Sequence, residues 1–169
     1  MQAPPQYFPI NAQINKKGYL SIEKIFEKGL QSLSAEDFLE KMKDENTIIL
    51  DSRPASLFVE GFIPGSIGIG LDGRFAEWAG SLLSFEKDIL LVTDPGKEKE
   101  TITRLARVGF DKISGFLKGG FDAWVNNGNA IDLIICIDPD ELGMDIKYDS
   151  NLCIIDVRNP IEFGDGHIK

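Results

Sequence analysis

One stretch of this sequence occurs twice. Asn46 to Ile63, NTIILDSRPASLFVEGFI, aligns without a gap on Asn151 to Ile168, NLCIIDVRNPIEFGDGHI. Asn46/Asn151, Ile49/Ile154, Asp51/Asp156, Arg53/Arg158, Phe58/Phe163, Gly61/Gly166 and Ile63/Ile168 are identical pairs lying 105 residues apart. Solenoid units run roughly 20 to 50 residues, so a repeat this long is that of a duplicated domain. A unit of about 100 residues is an ordinary domain and buries a core of its own. The second copy reaches Lys169 just past its opening strand and helix. The expected organisation is therefore an N-terminal arm and short helix over 1–33, one complete domain over 34–128, and a linker with the truncated start of a second copy over 129–169. Such a chain reads as a piece of a longer protein.

Within the complete unit, apolar runs alternate with amphipathic ones. Thr47-Ile48-Ile49-Leu50, ending at Asp51, and Ile89-Leu90-Leu91-Val92-Thr93, ending at Asp94, are continuous apolar stretches of the kind found in strands covered on both faces. Ile67 to Gly70 and Ile113 to Phe116 are shorter candidates. Helical patterns run from Phe75 to Leu83, Glu98 to Val108 and Phe121 to Val125. Two further helices start at Ser21 and Ser34, each a good N-cap, the second with Glu36 and Asp37 in its first turn. This alternation predicts an α/β fold, a parallel sheet with helices on both faces. Ligands of such sheets bind at the carboxyl ends of the strands, which places Asp51, Arg53 and Asp94 at the functional edge. Residues 1–18, rich in Pro, Asn and Gln, predict an extended arm.

Several function classes drop out on composition. The net charge of −9 carries no basic stripe for phosphates, so nucleic acid is not an expected partner. No apolar run approaches the roughly 18 residues of a membrane span, and the N-terminus lacks the pattern of a signal peptide. A cytoplasmic protein with no membrane contact is expected. Cys136, Cys153 and the single histidine, His167, cannot furnish an ordinary zinc site, and neither metal nor cofactor is expected in this chain. Cys153 falls inside the apolar stretch Leu152 to Ile155 and reads as a buried, inert thiol in a strand.

The loop Asp94-Pro95-Gly96-Lys97-Glu98-Lys99 links a buried strand to a helix. Its N–H groups can converge on a bound anion or a nucleophile. Alternatively, Asp-Pro-Gly is simply a turn with Asp94 capping the helix that follows. Arg53 likewise has two readings, orienting an active-site loop or pairing with a carboxylate to fix the end of its strand. Asp51 suits a hydrogen-bond acceptor bracing a loop better than an acid catalyst.

Four segments together resemble a rhodanese-like (sulfurtransferase) domain: Asp51-Ser52-Arg53, Gly61-Phe62-Ile63-Pro64-Gly65-Ser66, the loop from Asp94 to Lys99, and Leu117-Lys118-Gly119-Gly120-Phe121-Asp122-Ala123-Trp124. Asp156-Val157-Arg158 and Gly166-His167-Ile168 resemble the opening of a second such domain. The resemblance implies a catalytic cysteine where this chain has Asp94, and a histidine where it has Phe62. A rhodanese thiolate accepts sulfane sulfur and becomes a persulfide cradled by loop N–H groups, which a carboxylate cannot do. Asp94 is expected instead to sit in that nest as a built-in anion, giving a catalytically inactive accessory or scaffold module. The alternative is a sulfurtransferase in the intact protein, its cysteine supplied by the second copy. The arm, Pro4-Pro5-Gln6-Tyr7-Phe8-Pro9 through Asn15-Lys16-Lys17-Gly18-Tyr19, resembles the connector in bacterial proteins that fuse a metallo-β-lactamase-fold domain to rhodanese-like domains, some related to persulfide dioxygenases. Expected partners are the other domains of the same protein, a small sulfur-carrying anion, and a second copy through the truncated domain.

Overall fold

A computed structural model describes residues 20–168 together with Phe8, Ala12, Lys16 and Gly18. It divides into two compact units, Met1–Ile134 and Ile135–Lys169. The first unit is built on a five-stranded parallel sheet in the order β1-β5-β4-β2-β3. Its strands are β1 (Ser32–Leu33), β2 (Thr47–Asp51), β3 (Ile67–Gly68), β4 (Asp88–Val92) and β5 (Ile113–Leu117). Within residues 20–134 the helices are α1 (Ile22–Gly29), α2 (Ala35–Lys41), α3 (Ala55–Glu60), α4 (Phe75–Leu82), α5 (Glu98–Ala106) and α6 (Gly120–Asn126).

The two central strands explain the two-sided burial read from their sequences. β2 and β4 pair in parallel along their whole length, from Thr47 opposite Asp88 to Asp51 opposite Val92. Side chains alternate across a strand, so Leu50, Ile89 and Leu91 enter one core with Phe75 of α4 and Ile102 and Leu105 of α5. Ile49, Leu90 and Val92 enter the other with Phe38 of α2 and Trp124 of α6. Leu50, Leu90 and Leu91 are fully buried. Each such side chain contributes about 1.5–3 kcal/mol relative to exposure. The caps also form: Ser21 Oγ accepts from Lys24 N–H at 3.4 Å and Ser34 Oγ from Asp37 N–H at 3.1 Å.

Packing continues on both sides of 34–128. Ile25 of α1 is buried in the first core. Past Gly128 the chain turns back along the domain: Trp124 Nε1 donates to Ala130 O at 2.7 Å, Asp132 bridges Phe62 in antiparallel fashion, and Ile134 N–H donates to Val59 O at 3.0 Å.

Several elements differ from expectation. α3 and β1 were not anticipated. Phe8, Ala12 and Lys16 have helical backbone, against the extended arm expected for 1–18, the rest of which, apart from Gly18, lies outside the described residues. In the second unit, Leu152 to Ile155 has no strand and Cys153 is exposed, correcting the reading of a buried thiol in a strand. The cause is the absence of pairing: β2, whose sequence this segment repeats, is a strand by virtue of β3 and β4 on its two sides. Among the described residues the second unit has two helices, α7 (Pro139–Tyr148) and α8 (Pro160–Asp165). Among the described residues no helix is long and apolar enough to cross a membrane.

Candidate functional site

The site lies where β2 and β4 end. At the end of β2, Asp51 is fully buried and Arg53 nearly so. The Arg53 guanidinium donates from Nε to both Asp51 carboxylate oxygens at 3.0 Å and from Nη2 to Oδ2 at 2.7 Å. Nη2 also donates to the Gly61 carbonyl at 2.8 Å. The Phe121 ring, 4.0 Å from the guanidinium carbon, covers one face. Asp51 and Arg53 therefore form a closed structural pair that ties the end of β2 to the end of α3. A bidentate, buried arginine of this kind is a fixed part and not a mobile binding group.

At the end of β4 the chain turns through Asp94 to Lys99 into α5. The turn rests on buried hydroxyls: Ser52 Oγ lies 3.4 Å from Thr101 Oγ1, and Thr101 Oγ1 donates to Lys97 O at 2.8 Å. Lys97 N–H donates to Asp94 O at 3.0 Å, and Gly96 takes the left-handed conformation, φ 85°. The expectation that Asp94 fills the nest is corrected here. Among the described residues the Asp94 carboxylate accepts no hydrogen bond, and it is Glu98 Oε1 that accepts the Gly96 N–H at 3.1 Å. The helix N-cap is Lys97, so Asp94 is not the cap either. Once Gly96 adopts positive φ, Glu98, two residues on, is the carboxylate within reach.

The loop cations point to other partners. Lys97 Nζ donates to Glu100 Oε2 at 2.8 Å. That hydrogen bond, then the charge of Glu100, raises the Lys97 pKa, while Lys97 lowers that of Glu100. Lys99 Nζ sits 5.3 Å above the Phe26 ring. Of the residues expected in the binding loop, Asp94 and Pro95 line an open cleft of about 520 Å³ with Arg53, Thr93 and the Gly119-Gly120-Phe121 turn, whereas Lys97, Glu98 and Lys99 do not. Gly119 and Gly120 have φ of 78° and 63°, and a Cβ on Gly120 would meet Thr93 O at 2.9 Å. That close approach holds the turn into α6 against the end of β4.

Sequence reasoning placed Glu98 in the loop without its role as the acceptor of the Gly96 N–H, and missed Ser52, Thr101 and Phe121 as parts of this site. Gly61 carried a signal, being eight residues beyond Arg53 as Gly166 is beyond Arg158. The second unit repeats the arrangement: Arg158 Nε donates to the two Asp156 oxygens at 2.9 and 3.1 Å, and Nη2 to Gly166 O at 2.8 Å. The hydrogen bond from Arg158 holds the Asp156 carboxyl at about 2, well below its ordinary value of 3.8. Phe58 stacks on Phe62 at 4.4 Å between centroids, and Phe163 stacks on His167 at 3.9 Å. Both cysteines belong to the second unit and are exposed. Among the described residues no group of three or more His, Cys, Asp or Glu is placed to hold a metal ion.

A parallel sheet with helices on both faces, an Asp-x-Arg pair at one strand end and a loop-to-helix turn at the next define a family. The rhodanese-like domain model matches residues 34–127, more than half of the chain, and the chain belongs to that family. Among solved structures it is similar to the rhodanese-like domain of an Anabaena sp. protein, at 21% identity and TM-score 0.54, over 76% of this chain and 89% of that one. A Bacillus halodurans protein is similar at 18% identity and TM-score 0.52, over 80% and 96%. A metallo-beta-lactamase from Staphylococcus aureus subsp. aureus is similar at 24% identity and TM-score 0.53, over 69% of this chain and 31% of that one, so the chain spans under a third of that protein's length. At these identities the likeness establishes the fold. No curated protein sequence matches the chain.

Proposed function

We propose that the first unit is a rhodanese-like module that does not itself transfer sulfur and serves as an accessory or scaffold in a multidomain sulfur-metabolism protein. One observation carries this: the residue after Thr93, at the mouth of the cleft, is a carboxylate, in a loop whose Gly96 and Lys97 N–H groups are engaged. Sulfane sulfur transfer needs a thiolate there, attacking the donor to form a sulfur–sulfur bond, and N–H groups free to hold the resulting anion. Asp94 supplies no sulfur, Pro95 has no N–H, and the Gly96 N–H is already bonded to Glu98. The test is thiosulfate-dependent sulfur transfer to cyanide by this chain, beside Asp94→Cys and Asp94→Cys/Glu98→Ala. Silence in the unaltered chain with turnover in either variant is the expected result. Turnover by the unaltered chain overturns the proposal.

The repeated Asp156, Arg158 and Gly166 geometry favours a second reading, that residues 129–169 are a linker and the opening of a second rhodanese-like domain and that the intact protein is a sulfurtransferase through a cysteine of that domain. A cysteine loop in the remainder of that domain, active in the same assay, decides it. The likeness to the staphylococcal protein and the connector-like arm support a bacterial fusion with a metallo-β-lactamase-fold domain. Exposed Ile155, Val157 and Ile161 support self-association through the second unit, checked by comparing solution masses with and without residues 135–169.

A further inference from the structure

We infer that the cleft bounded by α3, the loop after β4 and α6 is a docking surface for a basic segment of a partner protein, which places a lysine or arginine side chain in it. This deepens the non-catalytic reading of the same cleft and rests on it. The walls are apolar and accessible: Leu57 is 41%, Val125 42% and Ile131 45% exposed, and all three line the cleft. The polar groups at its mouth are carboxylates. Glu60, Asp94 and Asp122 line it, and among the described residues none of the three side-chain carboxylates makes a hydrogen bond or an ion pair.

Positive charge is withheld from the opening. Among the described residues Arg53 is the one cation in the lining, and Asp51 neutralises it within the floor. Lys97 is held by Glu100, and Lys99 lies over Phe26. An anionic ligand would meet three carboxylates that hold no ion-paired cation among the described residues, each worth roughly a factor of three in affinity at about 6 Å in water. Salt reduces the combined effect to about tenfold. Lysine and arginine fit both features, since they lay an apolar stem along such walls and keep the charged head at the rim. A bare metal ion would leave the apolar walls unused.

The test is a titration of the full chain, watched by amide chemical shifts, with acetyl-leucyl-arginyl-leucine amide and with its glutamyl counterpart. The same is done with the Glu60→Gln/Asp94→Asn/Asp122→Asn variant. Expected are shifts at Leu57, Gly61, Gly120 and Val125 with the arginyl peptide, absent with the glutamyl one, and binding weakened about tenfold or more in the triple variant. Stronger binding of the glutamyl peptide, or equal affinity of the triple variant for the arginyl one, overturns the inference. The cyanide assay run on the same sample separates the two claims. Turnover sinks the non-catalytic reading, whereas silence with no arginyl binding sinks only the docking surface.

Discussion

Replacing Arg53 by Met leaves a fully buried carboxylate without its counter-ion. Asp51 is 0% exposed and takes three hydrogen bonds from the guanidinium. The variant keeps only the bond from the backbone N–H of residue 53, at 3.0 Å. It also orphans Gly61 O and removes the cation stacked on Phe121. Breaking a buried pair from one side costs about 3–5 kcal/mol, a large part of the roughly 5–15 kcal/mol that stabilises a domain. At a urea dependence of about 2 kcal/mol per molar, the midpoint falls by about 2 M. Both tryptophans, Trp78 and Trp124, lie in the first unit, so fluorescence during urea titration reports this transition. Asp51→Leu/Arg53→Met removes both charges and should recover to within about 2 kcal/mol of the unaltered chain, the residue being the unmet N–H of position 53 and Gly61 O. A fall below about 0.5 M for Arg53→Met, or a double variant as unstable as the two single changes added together, refutes the closed structural pair.

Gly120→Ala combines positive φ with a clash against the Thr93 carbonyl. It should cost more than about 2 kcal/mol and lower Tm by about 8 °C or more, whereas Gly128→Ala, with open space around it, pays only for φ, about 1 kcal/mol. Equal Tm values for the two variants would contradict the close approach. Glu98→Ala frees the Gly96 N–H, whose hydrogen exchange should accelerate roughly tenfold; unchanged exchange would mean the bond does not form in solution. Because Arg158 lowers the Asp156 pKa from 3.8 to about 2, the stabilisation this pair gives is complete above 3.8 and is lost as pH falls towards 2. Carboxyl carbon shifts should titrate at about 2 and return towards 3.8 in Arg158→Met, and an ordinary midpoint in the unaltered chain would disprove the pairing.

The sheet was legible because its central strands are buried on both sides. That requirement writes continuous apolar runs into Ile48 to Leu50 and Ile89 to Val92, and stops them at the polar strand ends where the site begins. α3 was not legible: it buries no residue fully and starts at Pro54 without a side-chain cap, so neither periodicity nor a capping signal marks it. β1 is two residues long and exists through its register with Phe116 and Leu117. Leu152 to Ile155 shows the converse, an apolar run that is no strand where nothing pairs with it. Within the site, the pairing of Arg53 with a carboxylate at its strand end was among the readings drawn from sequence, and Asp51, two residues away, is that carboxylate. Which carboxylate meets the Gly96 N–H was not legible, because the backbone path decides it.

The bond from Arg53 to Gly61 spans eight residues, whereas the contact of Ser52 with Val92 that joins the central strands spans forty. Closing the shorter loop costs about 1.4 kcal/mol less chain entropy. The arginine staple needs no partner strand, as its counterpart at Arg158 and Gly166 demonstrates. It can therefore close while β4 is still being synthesised, presenting β2 with its polar end already anchored when the rest of the sheet arrives.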